Sequence, residues 1–166
     1  MIRVKPNTLH IKRTIRPLYG NTQATPASAF LDPDHDRTYP KWPGFAMVKG
    51  NGELVRFPSD ADDLPYGLAA QYVGGDGIDE PLEVGINAMA VWKLSPDAEF
   101  EILAPAFDHT QTWADGDLVY AATDAANAGR LVPDGYATRT TAPIARVLKI
   151  ASPTKIVIGG LQPRTA

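Results

Sequence analysis

The sequence predicts an all-β protein, a small β-barrel or β-sandwich with an extended N-terminal arm and little or no helix. Three observations lead there. Fourteen glycines and fifteen prolines in 166 residues are spread along most of the chain, which interrupts long helices before they start. Apolar segments with period-two alternation recur between turn signals, roughly every 8–12 residues, as in sandwiches and barrels. The charge is also lopsided: residues 1–31 carry Arg3, Lys5, Lys12, Arg13 and Arg16 and no acid, while all 19 acids lie in residues 32–166.

Residues 1–43 read as the arm and residues 44–166 as the β-domain. Pro17 to Pro43 holds five prolines with Thr, Ser and Asp and little periodic apolar content, and one short strand at most (Thr8–Ile15) is expected in the arm as a whole. Gly44–Lys49 and Glu53–Phe57 flank Gly50-Asn51-Gly52, which supplies the positive φ of a tight hairpin. Leu82–Leu94 alternates most clearly. Leu82, Val84, Ile86, Ala88, Ala90, Trp92 and Leu94 occupy one face, predicted buried, with Lys93 and Glu83 on the other. Ala98–Ala104 continues the alternation with Phe100 and Ile102 inward and Glu99 and Glu101 outward. The intervening Ser95-Pro96-Asp97 predicts that the two segments form a hairpin.

Asp115-Gly116 turns the chain into Asp117–Ala121, Thr123–Ala128 is the one candidate helical turn, and Gly129–Val132 follows. Ile144–Ile150 and Lys155–Leu161 close the domain as a strand pair around Ser152-Pro153. Phe45–Val48 with Gly52-Glu-Leu-Val, and Asp117–Tyr120 with Gly129-Arg-Leu-Val, follow a similar strand–turn–Gly-x-Leu-Val rhythm. That is too faint a signal for a repeat architecture.

Composition excludes several classes. With no cysteine there are no disulfides, thiol nucleophiles or thiolate metal sites. Met1 to Gly20 is basic but lacks the apolar core of a secretory signal, and nothing approaches the roughly 18 apolar residues of a membrane helix. No membrane partner is expected. The formal net charge of −3 leaves −8 on residues 32–166 once the arm's +5 is removed. Five cations spread to Arg16 without interleaved aromatics make a poor nucleic-acid surface, so direct nucleic-acid contact is not expected.

Motifs for chemistry fail on their own spacing. Asp32, Asp34 and Asp36 open like a calcium loop, but Arg37 and Pro43 stand where Gly and Glu are required. Asp60, Asp62 and Asp63 read as a polar loop. His10, His35 and His109 are not paired for zinc. Asp108-His109 could join a triad with Ser28, Ser59, Ser95 or Ser152, but no serine sits in a Gly-x-Ser-x-Gly elbow. Glu99 and Glu101 share a strand face as solvated acids, and Gly74-Gly75-Asp76-Gly77 lacks the lysine of a phosphate loop. Catalytic residues, cofactors and metals are therefore expected to be none, and the chain is read as no enzyme. Trp42, Trp113 and the tyrosines Tyr39, Tyr66, Tyr72, Tyr120 and Tyr136 leave open a carbohydrate- or ligand-binding β-sandwich module of a phage tail or cell surface; Trp92 reads as core.

The rhythm from Gly44 to Leu161 carries a resemblance. It includes Pro65-Tyr66-Gly67-Leu68-Ala69-Ala70, Ala104-Pro105-Ala106, Gly116-Asp117-Leu118-Val119-Tyr120 and Pro143-Ile144-Ala145-Arg146-Val147. This resembles the head decoration (capsid cement) proteins of tailed bacteriophages. The resemblance implies a non-enzymatic virion structural protein that binds the outside of the capsid lattice and stabilises it. It further implies a homo-oligomer, with a trimer expected, the major capsid protein as partner, and location on the capsid exterior after assembly in the host cytoplasm. On that reading Arg3, Lys5, Lys12, Arg13 and Arg16 pair with capsid carboxylates, and Tyr19, Phe30 and Trp42 are apolar anchors. Deleting residues 2–16 is expected to leave the β-domain folded and to abolish particle binding.

Overall fold

A computed structural model of the chain describes residues 14–18, 27–32, 38–50, 52, 54–73 and 88–161. The described residues are nearly all β, in two sheets. An antiparallel six-stranded sheet runs in the order β1 (Ile15–Pro17), β7 (Glu99–Leu103), β11 (Lys155–Gly159), β10 (Ala145–Ser152), β8 (Leu118–Ala121), β9 (Leu131–Val132). The other sheet closes on itself as a barrel in the order β2 (Ala27–Leu31), β4 (Leu54–Arg56), β3 (Ala46–Lys49), β5 (Pro65–Ala69), β6 (Ala88–Trp92). Among the described strand pairs, β2–β4 is the parallel one. A single 3₁₀ turn, Ala125–Asn127, falls inside the segment expected to hold a helical turn.

One apolar core runs through both sheets. Leu31, Met47, Leu68 and Val91 from the barrel and Phe100, Ile102, Ile156 and Ile158 from the open sheet are all fully buried. Burying a side chain of this size stabilises by about 1.5–3 kcal/mol. The sheets are tied at a backbone contact, where the Ala46 amide donates to the Gly129 carbonyl at 2.7 Å. Gly129 has φ of 94°, and a Cβ there would sit 2.8 Å from the Ala46 oxygen, so a glycine is required twice over.

Three expectations need correction, and one strand was not foreseen. Segments 82–94 and 98–104 do not form a hairpin. Both edges of β6 are occupied, by β2 and by β5, because the barrel closes there, and β7 pairs instead with β1 and β11. The Ser95–Asp97 turn is a crossing from one sheet to the other.

The buried face of β6 is also the opposite of the one predicted. Met89 and Val91 are buried, whereas Ala90 and Trp92 are half-buried. Directly paired residues share a face, and Ala29↔Met89 and Ala69↔Val91 are all buried. Trp92 lies on the other face, against Phe100 of the open sheet with ring centres 5.6 Å apart. Both faces of β6 are thus covered, so alternation among apolar residues could not tell inside from outside. Residues 82–87 of that segment lie outside the described residues.

No strand is predicted at β5, which begins with Pro65 and contains Gly67. Proline is tolerated at a first strand residue, and Gly67 admits the close approach of β6. Finally, the segment read as an arm contributes β1 and β2 to the sheets. The Thr14 hydroxyl donates to the Pro43 carbonyl, and Leu103 N donates to Thr14 O at 2.9 Å, so the chain is fixed from Thr14 through Leu18.

Candidate functional site

On the open sheet, β1 and β7 place Arg16 directly opposite Glu101. Arg16 donates to the Glu101 carboxylate at 3.1 Å while its own side chain stays 66% exposed. Lys155, paired with Leu103 and hence the diagonal neighbour of Glu101, approaches the other carboxylate oxygen at 3.7 Å. Each surface pair of this kind contributes less than about 1 kcal/mol. Its consequence is positional: two cations are held over one half-buried acid, with the guanidinium still open to solvent.

A second surface feature lies on the barrel. The β3–β5 register slips between Met47↔Gly67 and Val48↔Pro65, so Tyr66 is the extra residue of a β-bulge. A bulge re-aims the side chain it carries. Tyr66 is met by Lys49 from the end of β3, with Nζ 5.8 Å from the ring centre, and by Lys93 just beyond β6, with Nζ at 4.7 Å. Phe30 and Leu54 complete an open groove of about 280 Å³. Phe30 is 53% exposed. Cation–π contacts at such exposed sites are worth about 0.5–1 kcal/mol each.

Elsewhere, polar clusters serve loops. Asp63 accepts two hydrogen bonds from Arg56, at 2.9 and 2.5 Å, and one each from the amides of Ser59 and Asp60. Burial pushes its carboxyl up, but these bonds outweigh burial and hold it below the usual carboxylate range. The Asp60–Asp63 cluster is therefore a closed loop staple and not a set of converging acids. Asp124 accepts from Asn127 at 2.6 Å, Tyr136 at 3.0 Å and Thr138 at 3.1 Å. Burial raises its carboxyl and the three donors more than offset that, while burial and the adjacent Asp124 hold the Tyr136 hydroxyl above its usual value.

The groups considered for chemistry do not assemble. The Asp108 carboxylate is taken by Thr110, at 2.5 Å from the hydroxyl and 3.0 Å from the amide, and by Gln111 at 3.3 Å. Exposed His109 is not among its partners. Among the described residues no set of His, Asp and Glu is grouped to hold a metal. The tryptophans do not form a platform. Trp42, Trp92 and Trp113 are half-buried against the core, Trp42 edge-on to Tyr72 at 5.1 Å and Trp113 edge-on to Phe107 at 5.9 Å.

Of the residues predicted to contact a partner, Arg3, Lys5, Lys12, Arg13 and Tyr19 lie outside the described residues. Arg16 and Phe30 are exposed on different sheets, Arg16 in the cation ladder and Phe30 in the barrel groove. Trp42 is part of the core wall. Sequence reasoning missed Lys49 and Lys93. Each looked like an ordinary outward strand residue, and only the bulge at Tyr66 brings them together.

The whole chain, residues 1–166, matches the family model described as phage cement protein. The chain belongs to the phage cement protein family. It is thereby a virion structural protein of a bacteriophage, associated with the capsid. No curated protein and no solved structure gives a significant match.

Proposed function

We propose that this cement protein binds the outer face of the assembled capsid lattice and stabilises it without catalysis. The observation that carries this reading is the family match over the full chain. A ligand that binds the lattice and not free subunits stabilises the lattice by mass action, by about 2.7 kcal/mol per site at one hundred times Kd. Attachment as a homo-oligomer, a trimer in this reading, multiplies modest contacts into firm retention.

In this account the basic residues Arg3, Lys5, Lys12, Arg13 and Arg16 pair with carboxylates of the major capsid protein. Exposed Phe30 supports an apolar anchor on the barrel. Tyr19 adds to it, and half-buried Trp42 offers a smaller apolar face. An arm that orders on docking covers much area at an entropic cost.

The test is co-sedimentation with particles lacking the protein, using wild type, a 2–13 deletion and Arg16→Glu. The deletion stops at Arg13 because Thr14, Ile15 and Arg16 belong to the sheet, and losing them would unseat β1. Saturable wild-type binding that falls at least tenfold in both variants is expected. Undiminished binding by both would refute the role given to the basic arm. Light scattering on the free protein tests the trimer.

A further inference from the structure

The groove around Tyr66 has features that a solvated strand face does not need. Two ammonium groups converge on one ring, at 4.7 and 5.8 Å from its centre. Among the described residues neither lysine has a carboxylate partner, and no acid lines the groove. Two converging cations stand out on a chain whose residues 32–166 carry a net −8. Phe30, an exposed large apolar side chain, sits in the same depression. The groove is built on a closed barrel, and Tyr66 is directed there by a bulge.

We propose that this groove binds an extended acidic peptide segment of the capsid surface, with its carboxylates on Lys49 and Lys93 and an apolar side chain against Phe30 and Leu54. That the segment belongs to the capsid rests on the function proposed above; the chemistry of the groove does not. At about 280 Å³ the space falls just under the roughly 300–1,000 Å³ of sites for larger small molecules, and suits a few side chains of a passing peptide. Charge complementarity selects acid over neutral peptide. A polyanionic nucleic acid is disfavoured, because the surrounding body is acidic and its field acts over a Debye length of about 8–10 Å. One or two carboxylates close to the lysines escape most of that repulsion. The contact would also be independent of Arg16, which lies on the other sheet.

Both lysines are exposed, so their replacement leaves the core intact. The experiment titrates isotope-labelled full-length protein with Ac-Asp-Leu-Glu-NH₂, its amide analogue Ac-Asn-Leu-Gln-NH₂, or a short oligodeoxythymidine, while following backbone amide shifts. Saturable shifts at Gly52, Leu54, Tyr66 and Lys93 are expected with the acidic peptide, at least tenfold weaker with the amide analogue, and at least tenfold weaker in K49Q/K93Q. Equal response to both peptides, no localised shift, or tighter binding of the oligonucleotide at these residues would overturn the proposal. K49E/K93E tested on particles separates the two readings. If wild type ignores particles but binds the acidic peptide, capsid docking fails and the groove assignment stands. If particles retain both proteins equally and the peptide produces no shift, the groove assignment fails and capsid docking stands.

Discussion

Replacing Gly67 with alanine should damage the barrel out of proportion to one methyl group. A Cβ at Gly67 would press into the carbonyl oxygen of Trp92 and lie 2.7 Å from Cγ1 of Val91. Val91 can shift its side chain, but the Trp92 carbonyl belongs to the backbone. Moving it strains the Leu68↔Trp92 and Ala69↔Val91 pairs that join β5 to β6. A barrel has no free edge to absorb the displacement, so strain passes to the β2–β6 seam. Overpacking costs about 1–3 kcal/mol, and contact with backbone puts this site at about 2–3. For a chain of this size each kcal/mol moves Tm by about 2–4 °C, so Gly67→Ala should melt about 5–10 °C below wild type by circular dichroism. Gly135→Ala is the control: a Cβ there meets nothing within 4 Å, and its Tm should match or slightly exceed wild type. Equal melting of wild type and Gly67→Ala would refute the barrel closure drawn here.

Other substitutions test the polar staples. Asp63→Asn should cost about 2 kcal/mol at pH 7, since hydrogen bonds to a charged group are worth about 1.5–3 kcal/mol. The folded-state pKa of Asp63 is lowered, so this stabilisation is complete above the ordinary carboxylate value of 3.8 and is lost as pH falls through the folded value. Urea unfolding should show the gap between wild type and D63N closing below about pH 4, and a gap that widens there would contradict the assignment. Tyr136→Phe removes a donor to the Asp124 carboxylate and should cost about 1.5–2 kcal/mol by the same assay. Glu101→Gln should cost less than about 1 kcal/mol, and salt should reduce the difference further, because the ladder is at the surface.

Much of the fold was written in local pattern. The hairpin at Gly50–Gly52 and the one expected around Ser152-Pro153, the inward Phe100 and Ile102, and the turn at Gly116 all follow from period two and turn chemistry, which act over a few residues. Pairing partners were not legible in the same way. Whether Ser95–Asp97 folds β6 back on itself or throws the chain to a second sheet depends on which strands already occupy the edges of β6, and that is a property of the closed barrel. The same limit explains Trp92, which an apolar alternation places on one face without saying what covers it. Of the contact residues, Arg16 was legible as a cation in a basic segment, but its partner Glu101 is 85 residues away in sequence, and Lys155, which shares that carboxylate, is 139 away. The Lys49–Tyr66–Lys93 cluster was invisible because a register slip of one residue creates it.

Capsid attachment is decided by adding purified protein to phage particles that lack it. Copies bound per particle would be counted, alongside binding to unassembled capsid subunits and the temperature at which the particles release DNA. Saturation at a stoichiometry fixed by the lattice, weak or no binding to free subunits, and a higher release temperature are expected. Absence of binding, or equal binding to lattice and free subunits with no change in release temperature, would contradict the proposed function.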